Sequence, residues 1–184
     1  MRLFIGCSSK DKMEEVYLKN GTELIEKIVE LPDIELVYGA YNHGLMGVAY
    51  DNFIKTGKKV IGVMTEFHKK NDDSSVKYDL EIVTKTTTER FEKIYEVSDV
   101  LLFLPGGLGT YAEIFSAIEE MRINNGKKII LYNDNYFYTP IIRELYKLYE
   151  NGFIDEVPAD YMVIESDINK IVELIKEENK KWKN

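Results

Sequence analysis

Apolar residues along the chain alternate between short uninterrupted runs and longer stretches with helical spacing. The short runs predict strands at 3–5, 34–38, 60–64, 80–83, 100–104, 129–132 and 162–164. Apolar residues at intervals of three and four predict helices at about 12–31, 45–55, 88–97, 110–124 and 138–151, with a last helix from Asp167. The run at 100–104 has no polar alternation, which is typical of a strand that is buried on both faces. The alternation of strands and helices predicts an α/β fold that is Rossmann-like and doubly wound, with a mainly parallel sheet and helices on both faces.

Length and charge narrow the class of protein. The 184 residues fit one domain, which we place at 1–184, and the stretch 65–78 is polar and irregular enough to predict a mobile loop. The net charge of −8, from 24 basic and 32 acidic side chains, disfavours a nucleic-acid partner. No apolar run approaches the roughly 20 residues that cross a bilayer, so we expect no membrane partner. The one cysteine, Cys7, cannot form an internal disulfide, and we expect a cytoplasmic protein in which Cys7 is a small buried residue.

Ligands of open parallel sheets bind at the carboxyl ends of the strands, beside the point where the strand order reverses. Three predicted strands end in turns rich in glycine or serine, at 6–9, 39–47 and 105–113. We therefore expect these three turns to surround the binding site.

The turn at 105–113 reads Pro-Gly-Gly-Leu-Gly-Thr-Tyr-Ala-Glu and joins a buried strand directly to a helix. Free amides at a helix start form an anion site, so the amides of Gly106, Gly107, Gly109 and Thr110 can hold a phosphoryl group. Thr110 is also a candidate helix cap, and Glu113 is placed at most one turn inside the helix. No Gly-Lys-Ser/Thr sequence follows, so this is not a Walker loop.

A second interpretation of the same turn stays open. Gly107, Gly109 and Ala112 match the dinucleotide pattern G-x-G-x-x-A, and Asp134 follows at the distance of an acidic ribose partner. That interpretation predicts an oxidoreductase that binds NAD more tightly than a mononucleotide.

Taken together, these motifs resemble the LOG ("Lonely Guy") family of phosphoribohydrolases, which is also described as lysine decarboxylase-like. Residues 105–113 match the family signature P-G-G-x-G-T-x-x-E at every fixed position. Residues 38–47, Tyr-Gly-Ala-Tyr-Asn-His-Gly-Leu-Met-Gly, resemble the family's Y-G-G-G-x-x-G-L-M-G, and residues 6–9 resemble its early G-S-S turn. The segment Thr-Glu-Arg-Phe at 88–91 fits the position of a family arginine, so the resemblance spans nearly the whole chain.

The resemblance implies an enzyme that cleaves the N-glycosidic bond of a nucleoside 5′-monophosphate to a free base and ribose 5-phosphate. It implies a catalytic pair, Arg90 and Glu113, in a homodimer that needs no metal and no cofactor. The substrate-binding positions that it implies come from all three turns: Ser8, Gly39, Gly44, Met46, Gly106, Gly107, Gly109 and Thr110. Decarboxylation is unsupported, because the chain has no lysine motif for pyridoxal phosphate.

Departures from the family pattern leave the substrate open. Ala40 and Tyr41 stand where the family has glycines, Phe91 flanks the arginine, and Ala112 replaces an acidic residue of the plant enzymes. Tyr41 and Phe91 are expected to alter the shape of the pocket, so the base can be a cytokinin, an AMP-like purine or a pyrimidine.

Alternatives also stay open for the function and for single residues. A non-catalytic nucleotide or molybdenum-cofactor carrier on the same fold is the alternative function. Arg90 could instead be a surface arginine that pairs with Glu89 or Glu92, and His68 lies in a polar run that predicts a solvated side chain.

Overall fold

The structure, a computed structural model, describes residues 1–70, 76–124 and 126–182. Part of the predicted loop at 65–78 therefore lies outside the described residues. The strands are β1 (Arg2–Gly6), β2 (Glu35–Tyr38), β3 (Val60–Thr65), β4 (Leu80–Thr84), β5 (Val100–Phe103), β6 (Lys128–Tyr132) and β7 (Val163–Glu165). The helices are α1 (Glu15–Val29), α2 (Gly44–Lys55), α3 (Glu66–Lys69), α4 (Thr87–Val97), α5 (Leu108–Asn124), α6 (Thr139–Glu150), α7 (Pro158–Tyr161) and α8 (Ile168–Lys181).

The seven strands form one sheet in the order β4-β3-β2-β1-β5-β6-β7, and every pairing is parallel. The chain runs outward from β1 to β4, then returns to the other side of β1 and runs outward again from β5 to β7. The strand order therefore reverses between β1 and β5, where Ile5 pairs with Leu102. The predicted doubly wound α/β fold is confirmed, and the reversal marks where a ligand is expected.

Two apolar clusters cover the two faces of the sheet. Along β1, Leu3 and Ile5 pack into one cluster and Phe4 into the other, because successive side chains of a strand point to opposite faces. The first cluster includes side chains of α1, α2 and α8, and the second includes side chains of α4, α5, α6 and α7. Within the described ranges, no helix has both the length and the apolar character needed to cross a membrane.

The predicted helices and strands all exist, and their ends shift by only a few residues. Two short helices, α3 and α7, were not predicted, because four residues are too few to show a helical period. Helix α5 begins at Leu108, two residues before the predicted start, so the third glycine of the turn is already helical.

Candidate functional site

The three predicted turns meet at the carboxyl ends of β1, β2 and β5. The amide of Ser8 donates a hydrogen bond to the carbonyl of Pro105 at 3.2 Å, and the carbonyl of Ser8 accepts one from the amide of Met46, also at 3.2 Å. The hydroxyl of Thr110 donates to the carbonyl of Cys7 at 3.2 Å. The turn after β1 thus holds the other two turns in place on its two sides.

Between these turns lies an open cleft of about 400 Å³. Most of the residues expected to bind substrate lie on its wall together with both members of the expected catalytic pair. The lining consists of Cys7, Ser8, Ser9, Lys10, Gly39, Tyr41, Met46, His68, Arg90, Gly107, Leu108, Gly109, Thr110 and Glu113.

Gly44 and Gly106, which were expected to bind substrate, lie outside this lining and shape its walls instead. Gly44 begins α2 with a φ of +57°, and its amide donates to the Asp11 carboxylate at 2.9 Å. A Cβ at Gly44 would lie 2.7 Å from the Lys10 carbonyl oxygen and 2.9 Å from that of Ser8. A Cβ at Gly106 would overlap the side chain of Thr110. Gly44 thus allows the start of α2 to approach the backbone of residues 8–10, and Gly106 leaves room for the Thr110 side chain.

We expect Gly44→Ala to destabilise the protein by about 3 kcal/mol, as the left-handed conformation and the overlap with fixed backbone each cost energy. Gly57→Ala is the matched control, since Gly57 has a φ of +69° but no atom within 4 Å of an added Cβ. That control should cost only about 1–2 kcal/mol, from backbone conformation alone. Urea unfolding measures both changes, and equal losses would show that the overlap with residues 8–10 does not matter.

A buried ion pair forms the floor of the cleft. Nη1 of Arg90 donates to Oε1 of Glu113 at 2.8 Å, and both side chains are more than nine-tenths buried. The Nε of Arg90 donates to the carbonyl of Val63 on β3 at 3.0 Å. Its Nη2 would lie 2.6 Å from a Cβ on Gly39, so the guanidinium fills the space that this glycine leaves. The arginine is fixed on two sides, and it holds the Glu113 carboxylate in one orientation.

The start of α4 explains why Arg90 points inward. The hydroxyl of Thr86 accepts a hydrogen bond from the amide of Glu89 at 3.1 Å, and the Glu89 carboxylate accepts one from the amide of Thr86 at 3.4 Å. This capping box starts the helix and occupies Glu89. The alternative in which Arg90 is a surface residue paired with Glu89 or Glu92 is therefore wrong, because Arg90 is buried and pairs with Glu113.

The second carboxylate oxygen of Glu113 is the unusual atom of the site. Oε2 is buried and has no hydrogen-bond partner among the residues that the structure describes. Burial raises the pKa of the Glu113 carboxyl, and the charge and hydrogen bond of Arg90 oppose that rise. A buried acceptor without a partner costs energy, so this oxygen is suited to a donor supplied by a ligand or by water.

The cysteine beside this pair is not a nucleophile. Cys7 is 1% exposed, and burial, together with the nearby Glu113 carboxylate, raises the pKa of its thiol. The thiol therefore stays protonated, which confirms the prediction of a small buried residue.

The start of α5 supplies backbone donors to the cleft. The amide of Tyr111 makes the first helical bond, to the carbonyl of Gly107 at 3.1 Å. The amides of Leu108, Gly109 and Thr110 come before it and have no carbonyl partner inside the helix. Thr110 is the third residue of α5 and not its cap, and Glu113 lies just beyond the first turn, so both lie slightly deeper in the helix than predicted.

Two residues of the cleft, Lys10 and His68, could not be placed there from the sequence. His68 was expected to be solvated, yet it is half-buried and lines the cleft beside Tyr41, with the two rings edge to face at 5.5 Å between centroids. It reaches the cleft because α3 begins immediately after β3, with Thr65 as its cap. A threonine at a strand end followed by acidic Glu66 was the only available signal, and it is a weak one.

Two other expectations are corrected by the structure. Phe91 does not line the cleft; it lines a cavity of about 10 Å³ between α4, α5 and the sheet, and Arg90 lies over its ring. Asp134, the proposed ribose partner of a dinucleotide, follows β6 and accepts a hydrogen bond from Asn20 at 2.9 Å. It lines a separate hollow that contains none of the glycines of the 105–113 turn. The structure does not bring together the two parts that the dinucleotide interpretation requires.

Comparison with known families gives one match to a family model. The model is described as "Possible lysine decarboxylase", and it matches residues 46–175 of this chain. The matched segment runs from the start of α2 into α8, and it contains Arg90 and Glu113.

Curated relatives cover most of the chain at low identity. A cytokinin riboside 5′-monophosphate phosphoribohydrolase of Arabidopsis thaliana is 24% identical over 96% of this chain and 83% of its own length. A protein of the same name from Rhodococcoides fascians is 27% identical over 78% of this chain and 73% of its own length.

Solved structures share the fold. The molybdenum cofactor binding protein of Rippkaea orientalis is 24% identical, with a TM-score of 0.70, over 96% of this chain and 95% of its own. A molybdenum cofactor carrier protein of Chlamydomonas reinhardtii is 19% identical, with a TM-score of 0.66, over 98% of both chains. At such identities the likeness concerns the fold alone.

Proposed function

The chain belongs to the LOG family, whose model carries the lysine decarboxylase description, and from this premise we propose that it is a nucleoside 5′-monophosphate phosphoribohydrolase. It hydrolyses the N-glycosidic bond of its substrate and releases a free base and ribose 5-phosphate. The names of the curated relatives support this activity and not the decarboxylation in the family description.

The single observation that carries the proposal is the Glu113 carboxylate. Glu113 lines the cleft, one of its oxygens is held by Arg90, and the other is buried without a partner among the residues that the structure describes. Breaking an N-glycosidic bond builds positive charge on the ribose as an oxocarbenium-like transition state. A carboxylate fixed beside the sugar stabilises that charge and can take a proton from the attacking water.

The phosphate is bound at the start of α5. The amides of Leu108, Gly109 and Thr110 point out of the helix, and the helix dipole adds positive potential at the same end. Gly107 and Gly109 leave open space where a side chain would otherwise lie. A phosphoryl group held there places the ribose near Glu113, one helical turn further on.

Arg90 positions Glu113 in this scheme. Its Nε–H is given to the Val63 carbonyl and one N–H of Nη1 to Glu113, so the other N–H groups, including those of Nη2 beside Gly39, are left to contact the substrate. The guanidinium favours the charged form of the buried carboxylate, because a nearby positive charge opposes the rise in pKa that burial causes.

A screen of mononucleotides tests the proposal. The purified protein is incubated with AMP, GMP, CMP, UMP and isopentenyl-AMP, and released base is measured by chromatography. At least one of them should be cleaved to its base and ribose 5-phosphate. If none is cleaved while a mononucleotide binds tightly, the alternative of a non-catalytic nucleotide or molybdenum-cofactor carrier replaces the hydrolase.

We expect Gly109→Ala to weaken nucleotide binding without weakening the fold. An added Cβ meets no atom within 4 Å and projects into the space left for the phosphate, while alanine is the better helix former. Loss of one charge-assisted hydrogen bond should raise KM, and Ki for ribose 5-phosphate, about tenfold. Unchanged constants for both ligands, in a variant with undiminished thermal stability, would place the phosphate elsewhere.

The expected homodimer and the expected cytoplasmic location both stay predictions. We propose a homodimer, and the exposed apolar side chains of Leu108, Phe115 and Ile123 on α5 support it, because apolar surface of this kind is common at interfaces. Analytical ultracentrifugation tests this expectation, and a monomer at micromolar concentration would contradict it.

A further inference from the structure

An imidazole lies at the end of the cleft opposite to α5. His68, Ser9, Lys10 and Tyr41 line the cleft, and the same four residues also line an adjoining hollow of about 430 Å³ to which α5 contributes nothing. If the phosphate binds at α5 and the ribose at Glu113, the base extends toward this end. The role of His68 that follows from this geometry therefore rests on the proposed function.

The hydrogen bonds of Thr65 determine which nitrogen of His68 carries the hydrogen. Thr65 is 5% exposed, and its hydroxyl oxygen accepts a hydrogen bond from the backbone amide of His68 at 3.3 Å. The same oxygen lies 2.9 Å from Nδ1 of the ring, the one acceptor that the described residues offer to its proton. A buried hydroxyl is rarely left without an acceptor, so we assign Nδ1 as the acceptor and Nε2 as the nitrogen that bears hydrogen.

The charge of the ring follows from its surroundings. Partial burial, and then the Arg90 charge, lower the pKa of His68. Both effects favour the neutral ring, which acts as a hydrogen-bond donor through Nε2–H. Tyr41 packs its ring edge to face against the imidazole and restricts its rotation. A fixed neutral imidazole can stabilise negative charge without itself losing a proton.

We propose that His68 is a further catalytic residue, whose Nε2–H donates a hydrogen bond to the departing base. The bond between C1′ and the base nitrogen breaks, and its electron pair goes to the base. The water oxygen bonds to C1′, and the Glu113 carboxylate takes the proton of that water. The base, stabilised by Nε2–H, then takes a proton from solvent, Glu113 returns its own to solvent, and His68 keeps its hydrogen throughout.

Two variants of His68 distinguish the effect of its hydrogen-bond donor from the effect of its bulk. His68→Gln keeps an N–H donor, and His68→Leu keeps bulk without one. With the mononucleotide that the wild type cleaves best, we expect His68→Leu to lower kcat about 100-fold and His68→Gln to recover at least tenfold of that loss. Lys69→Ala is the control on the same short helix, because Lys69 pairs with Glu81 outside the cleft, and it should stay within about twofold.

A second substrate tests the role of the leaving group. 4-Nitrophenyl ribose 5-phosphate releases a phenolate that is stable without a hydrogen bond, so His68→Leu should slow its hydrolysis much less than that of the nucleotide. Equal kcat for the Gln and Leu variants, or equal slowing of both substrates by His68→Leu, would overturn the proposal for His68 and leave the proposed hydrolase intact. A wild type that releases no base from any monophosphate removes the proposed function itself.

Discussion

Glu113→Gln is expected to lower kcat for base release by about 10³-fold or more, the largest loss of activity that a conservative change in this protein should cause. The amide has the shape of the carboxylate, but it has no negative charge to stabilise the oxocarbenium-like sugar and cannot take a proton from water. The phosphate donors at the start of α5 remain, so nucleotide binding should persist. The expected result is a variant that binds substrate and does not cleave it.

The matched control for this change lies on the same helix. Glu119 is exposed and pairs with Arg122 at 3.0 Å, so Glu119→Gln makes the same chemical change without touching the cleft. Its activity should stay within about twofold of the wild type, since surface ion pairs contribute little. Circular dichroism establishes that both variants are folded, and single-turnover assays measure cleavage. If folded Glu113→Gln keeps a tenth of the wild-type rate, the carboxylate is not the catalytic group.

The fold could be predicted almost entirely from the chain. Strands such as β5 are short apolar runs, and the helices between them are longer stretches with apolar residues at intervals of three and four. The α/β alternation can therefore be recognised in the sequence itself. Helices α3 and α7 could not be predicted, because a single turn has no measurable period. The strand order itself was not predicted; only the expectation that it reverses at one point followed, from general rules of parallel sheets and not from particular residues.

The site was predictable where its residues are close together in sequence. The glycines of the 105–113 turn and Glu113 form one contiguous motif, so their proximity in space follows from the strand-to-helix turn. His68 belongs to a polar stretch with no period, and it reaches the cleft because α3 begins immediately after β3, which pairs in parallel with β2. Asp134 shows the opposite error, because the suitable spacing from the glycines did not bring it near them.

Arg90→Met is expected to be the most destabilising change in the cleft, costing about 3–5 kcal/mol at neutral pH, since it leaves the Glu113 charge buried without a partner. Arg122→Met is the matched control, for it removes an exposed arginine from an exposed ion pair and should cost less than about 1 kcal/mol. Urea unfolding measures both variants. A loss from Arg90→Met no greater than that from Arg122→Met would mean that the buried pair does not stabilise the fold.

The free energy of unfolding of Arg90→Met should depend on pH, and the burial of Glu113 determines the direction of that dependence. Burial already raises the pKa of this carboxyl in the folded protein, and Arg90 opposes the rise, so removing Arg90 raises that pKa further. Between the ordinary pKa of 4.5 and the raised one, the folded state binds more protons than the unfolded state, so stability falls as pH increases. Arg90→Met should therefore lose most stability above the raised pKa and approach the wild type near pH 5. The double variant Arg90→Met/Glu113→Leu removes both charges of this pair. It should therefore recover most of the lost stability and abolish the pH dependence of that loss. A double variant as unstable as Arg90→Met alone would show that lost packing, and not the unpaired carboxylate, is the cause.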